Sequence, residues 1–366
     1  MKQTRQSARF IIAIAMIAVL SLGTVAGVVA QDASPSAGEA SPVAGEKVTN
    51  VAFITPASRT NLGWDQQGAD SIAAVGQKLG ITVNIQENGG YDDITPALKD
   101  LKDDGAQLII CHGSGYSSTC ADFANQEQTR VAVIEFEDAV TPNLISDVET
   151  LAQEVAYLAG VLAGKQTKSG TVAVVVSGEP PTWNYMTVGF AEGLKASNAT
   201  AKLVYSVIGD AAYDDAAGAK RVTEQVLAAG ADIVFGMGDG ASFGMIEAVR
   251  EHNGKSENAD KQAWFIDVIG DKSKDYSDVL LTSALFDYSR IYEEMIKDIE
   301  AGTFGKVYSM DVKNNDVRLL DLPASVPQDV KDAVAKAQTD VVSGTITVSA
   351  IGDAEGVTAK LTELGD

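Results

Sequence analysis

Short apolar runs alternate with segments of helical spacing along nearly the whole chain. In the first half the runs are Val48 to Thr55, Ile81 to Ile85, Leu108 to Cys111, Val131 to Phe136 and Leu144 to Val148. Between the first two, Ile72, Val75 and Leu79 recur on one face of a predicted helix over Asp65 to Leu79, which Gly80 stops. Asp92 to Asp103, with Asp93 or Thr95 near its cap and Pro96 in its first turn, and Thr119 to Asn125 are the next helices. Runs this short, β-branched and free of polar alternation suit strands covered on both faces, so the pattern predicts a parallel sheet.

A strongly apolar helix, Thr150 to Lys165, leads into a second half where the order repeats. Strands are expected at Thr171 to Val176, Ala201 to Ile208, Asp232 to Phe235, Trp264 to Ile269 and Val279 to Leu285, with helices at Tyr185 to Ala196, Asp215 to Ala229, Phe243 to Glu251 and Tyr288 to Glu300. Lys306 to Asp311 and Val317 to Leu320 read as strands, Pro327 to Thr339 as a helix and Gly344 to Val348 as a last strand; 351–366 is a tail. Val48 to Gly80 and Ser169 to Asn198 share one shape: an apolar strand, a loop with prolines and a tryptophan, and a glycine-bearing helix. Used twice, such a unit predicts an α/β protein of two similar lobes with a cleft between them.

The first residues stand outside that pattern. Lys2, Arg5 and Arg9 precede FIIAIAMIAVLSLGTVAGVVA, and small residues end the run at Ala30, so residues 1–30 are expected to be a secretory signal peptide. The alternative is an uncleaved N-terminal anchor, since the run is long enough to span a bilayer. It contains no cysteine, which excludes a lipid-anchoring one. Residues 31–46, rich in Pro, Ala and Ser, read as a disordered linker. The 366 residues favour two domains, and 28 Lys and Arg against 50 Asp and Glu give a net charge of -22. That charge repels phosphate backbones, which disfavours a nucleic-acid partner. Cys111 and Cys120 are the two cysteines; in an exported chain a disulfide between them is expected, with two free, partly buried thiols as the alternative. His112 beside them does not make a metal site, which needs three or four ligands.

Ligands of open α/β sheets sit beyond the carboxyl ends of the strands, so the loops there hold the candidates. They are Asn61, Trp64 and Asp65 after the first strand, Ser114 and Tyr116 after the third, and Glu135 with Glu137 after the fourth. The second half offers Glu179, Trp183, Asn184, Asp239, Ser242, Asp271 and Lys272. Taken singly, each reads as an ordinary loop residue; their number at strand ends in both halves points to a ligand. Aromatic walls with carboxylates and amides suit a neutral, hydroxyl-rich, partly planar ligand such as a nucleoside or sugar. Gly236 to Ala241 fits G-x-G-x-x-A, but it follows the third strand of its unit and lacks the downstream acidic residue of a dinucleotide site. No G-x-S-x-G elbow occurs, and His112 and His252 lack a matching nucleophile. A binder without cofactor is expected, not an enzyme.

The run EVAYLAGVLAGKQTKSGTVAVVV with GFAEGLKA resembles the basic membrane protein family, the PnrA-like nucleoside-binding proteins of ABC importers. The Tyr-Leu-Ala-Gly helix falls at Tyr157 to Gly160, the Thr-Lys-x-Gly turn at Thr167 to Gly170 and the Gly-Phe-x-x-Gly helix at Gly189 to Gly193. GADIVFGMGDGASFG, VLLTSALFD, GTFGKVYSMDV and SGTITV fit as well, so the resemblance covers roughly Val48 to Val348. It implies a type I periplasmic binding protein: two doubly wound lobes joined by three crossover strands, an N-terminal lobe of 47–149 plus 287–305 and a C-terminal lobe of 150–286 plus 306–350. It also implies an exported, periplasmic or cell-surface monomer, a small-molecule ligand with a purine nucleoside favoured, and an ABC permease as partner.

Against the family pattern, Asn61 and Leu62 stand where an aromatic-Asn pair is common, Met186 replaces a phenylalanine, and Phe286 stands where a ribose-binding lysine is expected. By this resemblance Asp271 is expected to stand in for the family's ribose-binding aspartate. Trp183 is expected to face Trp64 across the ligand space, with Tyr116 also available for stacking.

Overall fold

Each half of the chain builds a six-stranded sheet, and the two sheets share one strand order. The structure, a computed structural model, describes residues 45–366. The expected signal peptide and residues 31–44 of the expected linker lie outside the described residues. Gly45 and Glu46, counted with that linker, belong to the fold: the Gly45 N–H bonds the Ile299 carbonyl, and Glu46 pairs with buried Arg130. Among the described residues no helix is long and apolar enough to cross a membrane.

The first lobe runs β1 (Asn50–Ile54), α1 (Trp64–Leu79), β2 (Thr82–Gln86), α2 (Thr95–Asp103), β3 (Leu108–Cys111), α3 (Ser117–Glu127), β4 (Val131–Ile134) and β5 (Ile145–Glu149). The second runs α4 (Ala152–Gln166), β6 (Thr171–Val176), α5 (Pro181–Ser197), β7 (Lys202–Val207), α6 (Ala216–Ala228), β8 (Ile233–Met237), α7 (Ala241–Gly254), β9 (Trp264–Val268), the single turn α8 (Ser273–Tyr276) and β10 (Leu280–Phe286). Then follow α9 (Ser289–Ala301), β11 (Val307–Ser309), β12 (Val317–Leu319), α10 (Gln328–Val342) and α11 (Ala354–Leu364). The sheet orders are β2-β1-β3-β4-β5-β11 and β7-β6-β8-β9-β10-β12. All pairings are parallel except that of β10 with β12. Each order reverses direction at its first strand, β1 or β6, where doubly wound sheets open their ligand crevice.

The apolar runs form strands for the reason their composition suggests: both faces are covered. Along β1, Val51 and Phe53 point into one core while Ala52 and Ile54 point into another. β6 splits likewise, with Val172, Val174 and Val176 on one face and Ala173 and Val175 on the other. One apolar core runs from Phe53 and Ile72 of the first lobe through Tyr288 and Tyr292 to Val174 and Phe190 of the second. The chain passes between the sheets three times, after β5, after β10 and after β11.

Several elements differ from expectation. β11 lies within 306–350, expected with the second lobe, yet it pairs with β5 at the edge of the first sheet. Three residues long, it carries too little pattern to reveal its partner. Gly344 to Val348 joins no ladder, and the tail holds α11. Helix α5 starts at Pro181 rather than Tyr185, which puts Trp183 and Asn184 in its first turn. Proline there has φ preset for the helix and gives up an amide that would have no partner inside it.

Helices α4 and α5 touch backbone to backbone. A Cβ on Gly160 would lie 2.1 Å from the Phe190 carbonyl oxygen, and one on Gly193 would lie 2.1 Å from that of Tyr157. The glycines of the two family motifs therefore weld these helices together rather than meet a ligand.

Candidate functional site

At the carboxyl ends of the strands, between the lobes, lies a cavity of about 280 Å³. Its first-lobe side is made by Trp64, Tyr91 and the Gly113–Gly115 loop, its second-lobe side by Thr182, Trp183, Tyr213 and Asp239. Trp64 opens α1, and its ring stacks on His112 with centroids 4.8 Å apart. Its indole N–H donates to the His112 carbonyl at 3.2 Å. Burial pushes the His112 imidazole down to about 3, so the ring is neutral. Its Nε2, 3.0 Å from the Trp64 carbonyl, must then be the donor, and Nδ1 accepts from the Tyr292 hydroxyl at 3.1 Å. A Cβ on Gly68 would strike this ring at 2.3 Å, which explains the glycine in α1.

Trp183 comes from the opposite lobe and meets Trp64 edge-on, centroids 6.4 Å apart at 88°. The two rings thus touch rather than face each other as parallel walls. The Trp183 indole N–H donates to Ser177 Oγ at 3.3 Å. Tyr91 and Tyr213, whose rings are 5.5 Å apart, close the mouth from either lobe. Ser114 lines the cavity floor in a short turn between β3 and α3. That loop is stapled at its base, because Cys111 and Cys120 are bonded, with Cα atoms 6.7 Å apart.

Asp239 follows β8 and reaches across the cleft: its Oδ1 accepts from the Trp64 backbone N–H at 2.9 Å, at the start of α1. Burial, and then the nearby Asp65 charge, push its carboxyl up to about 7. Close by, the Lys272 ammonium is fully buried, 2.5 Å from Asp267 Oδ2 and 2.9 Å from the Leu62 carbonyl of the other lobe. Gly270 allows that approach, since a Cβ there would lie 1.7 Å from the Leu62 oxygen.

The remaining sequence candidates do other work. Asp65 is buried and its carboxylate serves its own loop, accepting from the Thr55 hydroxyl, from the Ala57 N–H at 2.9 Å and from Asn61 Nδ2 at 2.7 Å. Asn61 is spent the same way, with Oδ1 accepting from the Gly63 N–H at 3.0 Å. Tyr116 turns its hydroxyl to the Gly90 carbonyl at 2.5 Å. Asn184 donates to the Glu179 and Gly352 carbonyls at 2.8 and 2.9 Å, tying α5 to the C-terminal segment instead of entering the cavity. Asp271 is exposed and accepts from the Ser273 N–H at 2.9 Å. Glu135 accepts from Thr150 and Thr182 hydroxyls at 2.5 and 3.3 Å, beside the first crossing between lobes. It sits near two more carboxyls, Asp147 and Glu149, each raised to about 8, by burial above all.

Tyr91, Tyr213 and Thr182 are not among the sequence candidates, while Lys272 is, though it is spent on Asp267 and Leu62 and does not line the cavity. Tyr91 and Tyr213 belong to the loops after β2 and β7, the strands beside each switch point, so inspecting every strand end would have found them.

Two doubly wound lobes meeting over an aromatic cleft at their strand ends define a solute-binding protein of the type I periplasmic class. The family model for ABC transporter substrate-binding protein PnrA-like matches residues 48–351, and the chain belongs to that family. It is 27% identical to the ABC transporter nucleoside-binding protein BmpA of Lactococcus lactis over 92% of this chain and 98% of that protein. It is also 23% identical to the transcriptional activator protein med of Bacillus subtilis, over 79% of this chain and 87% of that one. In structure it is similar to a solute-binding protein of an ABC transporter system from Aeropyrum pernix, with TM-score 0.73, 20% identity and coverage of 87% and 97% of the two chains. The Lactococcus lactis and Aeropyrum pernix relatives are solute-binding proteins of ABC transporters, not enzymes.

Proposed function

We propose that this protein captures a purine nucleoside outside the cytoplasm and delivers it to an ABC permease for import. The observation that carries the reading is the cavity between the lobes, with Trp64 and Trp183 from opposite sides and Asp239, Ser114 and Thr182 as the polar groups nearest it. A base inserted between the lobes has indole and tyrosine surface to stack on, and its sugar reaches hydroxyl and carboxylate groups. Rotation about the three crossings opens the cleft, and closure buries the ligand and completes a surface for the permease. Asn61 and Asp65 hold the Trp64 loop in shape; Asp271 faces solvent.

Isothermal titration with a panel of nucleosides tests the proposal, with micromolar or tighter binding of at least one purine nucleoside as the expected result. Heat from pentoses and none from any nucleoside would move the ligand to the sugar class. A second reading, ligand sensing, rests on the similarity to a protein named as a transcriptional activator. Neighbouring permease and ATPase genes support import, and a neighbouring kinase gene supports sensing.

A further inference from the structure

The cavity is unusual in its charge. Its walls are aromatic, and the one ionisable acid among its lining residues is Asp239; no Lys, Arg or His lines it. Asp239 is only 7% exposed, and of its two carboxylate oxygens Oδ1 alone is hydrogen-bonded among the described residues. Among the described residues no hydrogen bond is made to Oδ2, and Asp239 lines the cavity. Asp65 and Asp214 add negative potential at the same place, acting with Asp239 on the Tyr91 hydroxyl. The nearest buried cation, Lys272, is already committed to Asp267 and to the Leu62 carbonyl. Both indole N–H groups are turned away into the protein, so the tryptophans offer the ligand only their rings.

We infer that the site selects an organic cation, and that its preferred nucleoside carries a positive charge on the base, as N-alkylated purines do. This deepens the nucleoside reading above and rests on the same cleft. Closing a cleft over a neutral ligand leaves Asp239 buried without an opposite charge as its ion-pair partner, so the carboxyl either bears that cost as a carboxylate or takes up a proton. A cationic base supplies that charge, and Oδ2 accepts a hydrogen bond from it or faces it directly. Aromatic rings within about 6 Å hold such a cation by their negative faces, most strongly where water is excluded. Tyr91 and Tyr213 meet over the mouth to exclude it.

The test is titration of the whole secreted chain with guanosine and 7-methylguanosine, adenosine and 1-methyladenosine, and tetramethylammonium as a cation without a base. The cationic member of each nucleoside pair should bind about tenfold or more tightly than its neutral parent. Asp239→Asn keeps an acceptor for the Trp64 N–H and should bring that ratio close to one, while Asp239→Glu should keep most of it. Thermal unfolding of both variants confirms that they fold, and if Asp239→Asn does not, the Asp239→Glu ratio and the wild-type ratios still decide.

Equal or tighter binding of the neutral parents would overturn the inference and leave the nucleoside reading standing. Tight binding of tetramethylammonium with no nucleoside bound would overturn the nucleoside reading and leave the cation inference standing. A ratio unchanged in Asp239→Asn would overturn the role given to Asp239, and no binding of any of these compounds would overturn both readings.

Discussion

In the first lobe the stretch from Thr55 to Gly63 joins β1 to α1; in the second, the shorter stretch from Ser177 to Pro180 joins β6 to α5. The longer loop is knotted around the Asp65 carboxylate and then handed to the opposite lobe, through the Leu62 carbonyl on Lys272 and the Trp64 N–H on Asp239. The shorter one is fastened within its own lobe, where Asn184 holds both Glu179 and the C-terminal Gly352. The two tryptophans therefore occupy equivalent positions with different freedom. The Trp64 ring is held by His112 of its own lobe while its backbone N–H is tied across the cleft to Asp239; the Trp183 indole is held by Ser177 of its own lobe. The repeated units thus differ in how they are fastened, the first-lobe loop through its backbone to the opposite lobe and the second-lobe loop mainly within its own.

The hardest blow to that contrast is Lys272→Met. It leaves the buried Asp267 without its partner and the Leu62 carbonyl without its donor, and should cost about 3–5 kcal/mol in denaturant unfolding. A loss below 1 kcal/mol would show that the loop does not depend on this anchor.

Next in size is the staple of the first lobe. Removing it in a Cys111→Ser, Cys120→Ser double variant opens a short loop and should cost about 2–3 kcal/mol. Hydrogen exchange should rise around Ser114 and not around Trp183; a rise on both sides would show that the staple also steadies the second-lobe wall.

Acidity should act more gently. Asp147, Glu149 and Asp239 bind protons more readily folded than unfolded, their carboxyls being raised to about 8, 8 and 7, above the usual carboxylate range. Between the ordinary carboxylate range near pH 4 and pH 8 the folded state thus holds more protons, so stability falls as pH rises across that window. Thermal scans should show the melting temperature higher at pH 5.5 than at pH 8 by a few degrees, roughly what 1–2 kcal/mol gives. Asp147→Asn should flatten the profile.

The smallest effect is that of Asn184→Ala. Loss of its two bonds should cost about 1–2 kcal/mol and loosen the C-terminal segment, with Trp64 fluorescence unchanged in a background where Trp183 and Trp264 are both replaced by Phe.

The fold was largely legible because the strands carry uninterrupted apolar runs and the two halves repeat. The site was legible in part. Trp64 and Trp183 stand out as large aromatics at strand ends, and Asp239 as an acid after β8. Asn61 and Asp65 looked like ligand groups because the sequence shows a polar residue without showing what satisfies it. Their four-residue spacing at a helix start is what lets them bond each other. The Thr167 to Gly170 turn has a similar explanation: the Asp232 carboxylate takes the Lys168 and Ser169 N–H groups at 2.6 and 2.7 Å. Motif glycines at Gly160 and Gly193 were visible, but a helix contact through bare backbone becomes apparent only when both helices are placed.

The bond from Asp239 to the first turn of α1 also has a thermodynamic side. A carboxylate at a helix start is worth about 0.3–1 kcal/mol, rising to about 2 where partly buried. Here helix and carboxylate belong to different lobes, so that energy exists only when they are together. On its own it multiplies the ratio of closed to open molecules about two- to thirtyfold, with no ligand present. A bond that favours closure lowers the open population through which a solute enters and prolongs the stay of one already bound.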